Sequence, residues 1–250
     1  MAKQVGIIRL KGTIDGINYY KHKTAGDLAR RAGGGFSAET HKKGGNNRPR
    51  ENASEFGHCS IVKRRFRFAL SPFLCVRKEG GLHGRLMQLF LKLKVLDRVN
   101  IRGHRKVARG LEVPLGRQLL RNLVFTPQCS VIDILGAPIN FDFTSRTLEV
   151  TNLDIKNVKF PSGATHLSFS LGLLHFDFDT LEYQLKTSAP LYMDRNFSGS
   201  SFEMNVALPE GSGMAMAVLG MKAYQEVEGT YYLLKSANSV GVENLGIKDL

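Results

Sequence analysis

The chain has 250 residues, 42% of them hydrophobic, and a formal net charge of +13. That apolar content suffices for a packed core and excludes a disordered polyelectrolyte, while no uncharged apolar run reaches the roughly 18 residues of a membrane-spanning helix. The charge is unevenly placed: residues 1–121 hold 27 Lys/Arg and 8 Asp/Glu, a balance of +19, and residues 122–250 hold 8 and 14, a balance of −6. Such asymmetry predicts an acidic partner for the basic half, whether nucleic acid, a membrane surface or the acidic half of a neighbouring copy.

The opening "MAKQVGIIRLKG" has no apolar core of signal-peptide length, and an odd set of three cysteines (Cys59, Cys75, Cys129) suits a reducing compartment better than a disulfide scaffold. The expectation is a cytoplasmic protein, or a component of a released particle. Residues 5–31 read as three short strands, "VGIIRL", "GINYY" and "DLARR", with Asp15-Gly16 as a tight hairpin turn. Residues 32–50, "AGGGFSAETHKKGGNNRPR", form a loop too polar to fold alone.

From Glu51 to about Leu70 the pattern turns helical, with Ala53, Phe56, Ile61, Arg64, Phe68 and Leu70 as an imperfect apolar set; Ser71-Pro72 ends it. A clearer helix follows, in which Leu82, Leu86, Leu89, Phe90, Leu93 and Leu96 share one face, with Arg85, Lys92 and Lys94 on the other. The stretch "RVNIRGHRKVARG" (98–110) adds four arginines and a lysine with no acid.

After Pro114 the period becomes two. "SVIDIL", "NFDFT", "TLEVTNL", "ATHLSFSLGLLHFDFD", "YQLKTS", "FEMNVALP", "MAMAVLGMKAYQEVEGTYYLL" and "VGVENLGI" read as strands, with turns every 8 to 12 residues or so. That cadence predicts an antiparallel sandwich over 122–250. Its inward positions should include Val131, Ile134, Phe141, Phe143, Leu167, Phe169, Phe176, Phe178, Val206 and Tyr231. The expected fold is therefore mainly β (α+β). A basic N-terminal region over 1–121, made of a hairpin, a flexible loop and two or three helices, precedes a C-terminal antiparallel β-sandwich over 122–250.

Four stretches, "GIIRLKGTIDGINYYK" (6–21), "RPRENASEFG" (48–57), "GATHLSFS" (163–170) and "YQEVEGTYYLLKSANS" (224–239), resemble in order and spacing an uncharacterised family of Bacteroidetes proteins of about this length. The resemblance spans nearly the whole chain and implies one continuous architecture. It implies no activity. Where that family carries a short acidic segment after "LAR", this chain reads "HKKGGNNRPR", which is more basic.

Enzymatic signatures are missing: there is no Walker-type loop, G-x-S-x-G elbow or H-E-x-x-H. His58, Cys59, Cys75, His83, His104 and Cys129 lack the pairwise spacing of a structural zinc site, so no metal or other cofactor is expected. Asp177 and Asp179 alternate with Phe176 and Phe178, which reads as a solvated strand end over two core phenylalanines.

The informative signal is basic. "KRRFRF" (63–68) interleaves arginine with phenylalanine, as single-stranded nucleic acid binders do, although on a helix Phe66 and Phe68 lie about 200° apart and one of them must pack inward. "RGHRKVAR" (102–109) is the better electrostatic contact. The candidate contacts for an acidic partner are Lys42, Lys43, Arg48, Arg50, Lys63, Arg64, Arg65, Arg67, Arg102, Arg105, Lys106 and Arg109. The reading this supports is a non-enzymatic structural protein that assembles with copies of itself, in the manner of a capsid subunit, through a β-sandwich and a basic arm. The alternative is a sequence-tolerant binder of DNA or ribosomal RNA.

Overall fold

A computed structural model describes residues 2–33 and 47–249. With 33% strand and 25% helix, the chain is mainly β in an α+β arrangement. It divides into two compact units, Met1–Arg50 and Glu51–Leu250.

The first unit is a four-stranded antiparallel sheet of β1 (Ala2–Lys3), β2 (Gly12–Ile14), β3 (Ile17–His22) and β4 (Gly26–Arg31), in the order β1-β4-β3-β2. Ile14 pairs with Ile17 across Asp15 and Gly16, whose φ values of 47° and 72° are those of the hairpin turn the sequence predicts. The segment between β1 and β2 is pinned by Gln4, which accepts from the Leu10 amide (2.9 Å) and donates to the Leu28 carbonyl (3.2 Å), and by an Arg9–Asp27 ion pair. Leu28 is the only buried residue among the described ones of this unit.

The second unit is layered around a large antiparallel sheet. Its two central strands are β7 (His166–Phe176) and β11 (Met214–Val227), paired over the whole length of β7. Beside β11 lie β12 (Thr230–Leu233) and β13 (Val240–Asp249); beside β7 lie β8 (Tyr183–Thr187) and β9 (Leu191–Asp194). A three-stranded sheet of β5 (Ile139–Asp142), β6 (Thr147–Val150) and β10 (Phe202–Asn205) covers one face. Because side chains alternate along a strand, Leu167, Phe169, Leu171 and Leu173 of β7 and Ala215, Ala217 and Leu219 of β11 meet Leu148, Val150, Phe202 and Met204 in this sandwich core.

The opposite face is covered by helices: α1 (Arg48–Ala69), α2 (Ser71–Leu74), α3 (Leu82–Val95), α4 (Val107–Leu111) and α5 (Pro114–Arg121). Leu174 and Phe176 of β7 and Met214, Met216 and Val218 of β11 pack there against Phe66, Leu86, Phe90 and Leu93. The phenylalanines cluster, with Phe66 between Phe90, Phe176 and Phe178 at centroid distances of 5.5–5.9 Å. Both faces of β7 and β11 are thus buried, which is why their sequences are almost continuously apolar.

Several expectations are corrected. The compact units part at Arg50/Glu51 and not at 121/122, because helices α1 to α5 share a core with the large sheet. "SVIDIL" is not a strand but the short helix α6 (Val131–Leu135). Ser130 caps it by accepting from the Asp133 amide, and left-handed Gly136 closes it. Val131 and Ile134 are buried all the same. On α1 the buried side is Glu55, Cys59, Val62, Lys63, Phe66 and Ala69, while Phe56, Ile61 and Phe68 are exposed. On α3 Lys94 lies on the buried side. Tyr231 is exposed, since β12 extends past the sandwich core, and its ring stands against His166.

The helical layer rests on backbone contact. A Cβ on Gly110 of α4 would stand 1.9 Å from the Leu93 carbonyl oxygen, and one on Gly116 of α5 2.0 Å from the Gly110 oxygen. Gly57, in the middle of α1, faces open space. Gly110→Ala should therefore cost about 3 kcal/mol, the upper end for overpacking, or prevent the layer from forming. Gly57→Ala should stabilise by about 0.5–1 kcal/mol, the helix-interior penalty of glycine. Urea denaturation of both variants checks this; equal effects would contradict the backbone contact.

Candidate functional site

The basic segment 98–110 is positioned by two buried carboxylates. Glu55 sits on the inner side of α1 with a fully buried side chain. Its Oε1 accepts from Arg105 Nε (2.7 Å) and the Gly103 amide (2.8 Å); its Oε2 accepts from Arg105 Nη2 (2.9 Å) and from Lys94 Nζ at the end of α3. The paired Arg105 contact, aided by Lys94 and the Gly103 amide, outweighs burial and holds the carboxyl down at about 2. Asp97, just beyond α3, organises the rest of the loop. It accepts from the Val99 and Asn100 amides (2.9 and 3.0 Å), the Asn100 side chain (2.8 Å) and the Lys106 amide (2.8 Å). Burial would raise its pKa, but these donors, led by Asn100, bring it to about 2. His58 Nε2 accepts from the Val107 amide at the start of α4 (3.1 Å), and burial lowers the pKa of the ring and keeps it neutral.

The candidate contact residues therefore separate. Arg105 is the partner of Glu55, and Arg102 reaches Glu51 (3.2 Å) and Asn52 (2.9 Å) on the same helix. Lys106 pairs with Asp179 (3.0 Å), Arg109 with Glu112, and the half-buried Lys63 ammonium donates to His83 Nδ1 (3.2 Å). Arg102, Arg105 and Lys106 are thus paired within the chain with acids far away in sequence, and Arg109 with one three residues on. Arg64 and Arg65 stand exposed on α1 beside Ile61 and Phe68, with Arg67 half-buried; Arg48 and Arg50 lie exposed at the start of that helix. Lys42 and Lys43 fall outside the described residues. Phe66 is the member of the "KRRFRF" pair that packs inward, and Phe68 the one that stays out.

Sequence reasoning passed over Glu55. Its signal was present: Glu51 and Glu55, four apart on one helix, are the only acids between Glu39 and Glu79, and they face the acid-free segment 98–110.

Two clefts flank the end of β7 and share Asp177. One, of about 480 Å³, lies between α4, Met214 and the chain's end, where Arg117 pairs with Asp249. The other, of about 570 Å³, lies around β8. Asp177 Oδ1 accepts from the Asp179 and Thr180 amides (2.8 and 3.1 Å) and its Oδ2 from Ser212 Oγ (3.3 Å), which lowers its pKa despite burial. It shapes the turn after β7, as the reading of a strand end anticipates. Among the described residues no three His, Cys, Asp or Glu side chains gather as a metal site, and no helix is long and apolar enough to cross a membrane.

In the first unit the geometry is different in kind. Val5, Ile7 and Ile8 are 95%, 103% and 82% exposed, and Ile14 and Ile17, paired on one face of the sheet, are also exposed. Lys21, Lys23, Arg30 and Arg31 are exposed around them, Arg30 lying over the Tyr20 ring (5.3 Å). No family model, curated protein or solved structure matches the chain.

Glu55 generates a prediction about acid. A carboxyl whose folded pKa of about 2 lies below its ordinary 4.5 stabilises the fold fully above that ordinary value and progressively less as pH falls from 4.5 towards 2. Glu55→Gln leaves Arg105 and Lys94 facing a neutral group and should cost about 3–5 kcal/mol at neutral pH. It should also flatten the loss of stability over that acid window. Urea titrations followed by circular dichroism across this range decide the matter; a variant as stable and as acid-sensitive as the wild type would contradict the role.

Proposed function

We propose that this chain is a non-enzymatic structural protein that assembles with copies of itself through its N-terminal sheet. One observation carries the reading: the first unit has strands, a defined register and tight turns, yet Leu28 is its only buried residue among those described, while Val5, Ile7 and Ile8 are almost fully exposed. A sheet this small does not bury enough apolar surface to stand alone, and units of this size depend on a metal, a disulfide or association. Here the described residues hold no metal cluster, and all three cysteines are free and lie outside this unit. Association is a further source of burial, and it suits β1 and β2, the edge strands of the sheet among the described residues.

The nucleic-acid alternative rests on other residues than the sequence suggests. With Arg102, Arg105, Lys106 and Arg109 paired to carboxylates of their own chain, it turns to exposed Arg64 and Arg65 beside Phe68, and to exposed Lys21, Lys23, Arg30 and Arg31 of the N-terminal sheet. The patch on α1 could stack a base and meet a phosphate.

Mass photometry and light scattering of the full chain over a wide concentration range test the assembly reading, and should show oligomers that dissociate on dilution. Ile7→Lys/Ile8→Lys removes two side chains worth about 1.5–3 kcal/mol each when buried and should weaken association by roughly a hundredfold or more. A wild-type chain that stays monomeric at every concentration would refute the reading.

A further inference from the structure

The cleft around β8 has features of a binding site that its own chain leaves incomplete. His175, Asp177, Glu182, Gln184 and Glu210 line it, with Arg65 of α1 at its margin. His175 is 4% exposed, and its Nδ1 is buried with no hydrogen-bond partner among the described residues. Buried polar atoms are nearly always partnered, and an exception marks a place where something is missing. The carboxylates of Glu182 and Glu210 make no ion pair among the described residues; it is the backbone amides of these two residues that donate, to Thr180 Oγ1 (3.3 Å) and to Gln184 Oε1. Burial lowers the pKa of His175, so the ring is neutral near pH 7. The cleft then sets three carboxylates, including the turn-forming Asp177, against one guanidinium, and it is acidic.

The complementary surface belongs to the N-terminal sheet. Residues 2–33 carry seven Lys/Arg against two Asp, and they form the unit that lacks a core. Of the cations available, the lysine ammonium is compact and brings three N–H donors, which suits a recess lined by exposed Glu182 and Glu210, without an ion pair among the described residues, and by a neutral imidazole.

We propose that this cleft receives a lysine side chain from the N-terminal sheet of a second copy. The inference rests on the assembly reading and gives it a specific contact: the apolar residues of the sheet supply burial, and the acidic cleft selects the partner surface and its orientation. It also relates the two halves of the charge pattern, since the basic excess of one copy meets an acidic recess on the next.

The test uses an equal mixture of unlabelled and nitrogen-15-labelled full-length chains, coupled with a carbodiimide, which joins a carboxylate to an amine in contact with it. Mass spectrometry should find mixed-isotope links from Glu182 or Glu210 to Lys3, Lys11, Lys21 or Lys23. Glu182→Gln/Glu210→Gln should abolish those links, remain folded, and weaken assembly by a few-fold to about tenfold at low salt, with less effect at high salt. Links found only within one isotope would show that each chain fills its own cleft, and would overturn the proposal. Oligomers that form without any link from these two carboxylates, or that are indifferent to the double substitution, would overturn it while leaving the assembly reading intact. Monomers throughout would remove both.

Discussion

The buried carboxylate of Glu55 is the constraint on which the helical layer depends. An ionised group without contact with water is tolerated only when opposite charges and donors surround it, and here they come from Arg105, Lys94 and the Gly103 amide. Those partners belong to the end of α3 and the loop before α4, so one side chain of α1 fixes the relative placement of three segments. Asp97 then sets the course of the loop from Val99 to Lys106, and His58 receives the first amide of α4. In the same layer α3, α4 and α5 approach closely through Gly110 and Gly116.

The same node changes the meaning of the chain's charge. A segment of arginines without a neighbouring acid reads as a surface for phosphate, yet most of its cations are complements to acids on α1 and on the turn after β7. The basic excess available to a partner shifts to the N-terminal sheet and to the outward side of α1. The two units contrast in the same way in their apolar content. In the second, β7 and β11 bury both faces, one against helices and one against a smaller sheet. In the first, strands are present but burial among the described residues is confined to Leu28. That contrast is the physical ground for the assembly reading.

Much of this architecture is legible in the sequence because it depends on local patterns. Asp15-Gly16 specifies its turn, the leucines from Leu82 to Leu93 specify α3, and the alternation around Leu148 and Val150 specifies a half-buried strand. What was not legible depended on distant partners. The inward side of α1 includes Glu55 and Lys63, polar residues that become core only because Arg105, Lys94 and His83 come to meet them. Exposed Phe56, Ile61 and Phe68 therefore gave a false apolar stripe. Val131 to Leu135 fits a strand and a short helix equally, and the caps at Ser130 and Gly136 decide it. The cleft around β8 could not be seen at all, since Arg65, His175, Glu182 and Glu210 meet only once β7 and β8 pair and α1 lies beside them.

An account in which the first unit obtains its core from other copies makes the order of that unit depend on concentration. Amide hydrogen exchange of the full chain, read at β3 and β4 from dilute to concentrated solution, tests this most directly. Protection of these strands should rise with concentration while that of β7 and β11 stays constant. Protection of β3 and β4 that is strong and unchanged at every concentration would show that the sheet needs no second copy, and would contradict the account.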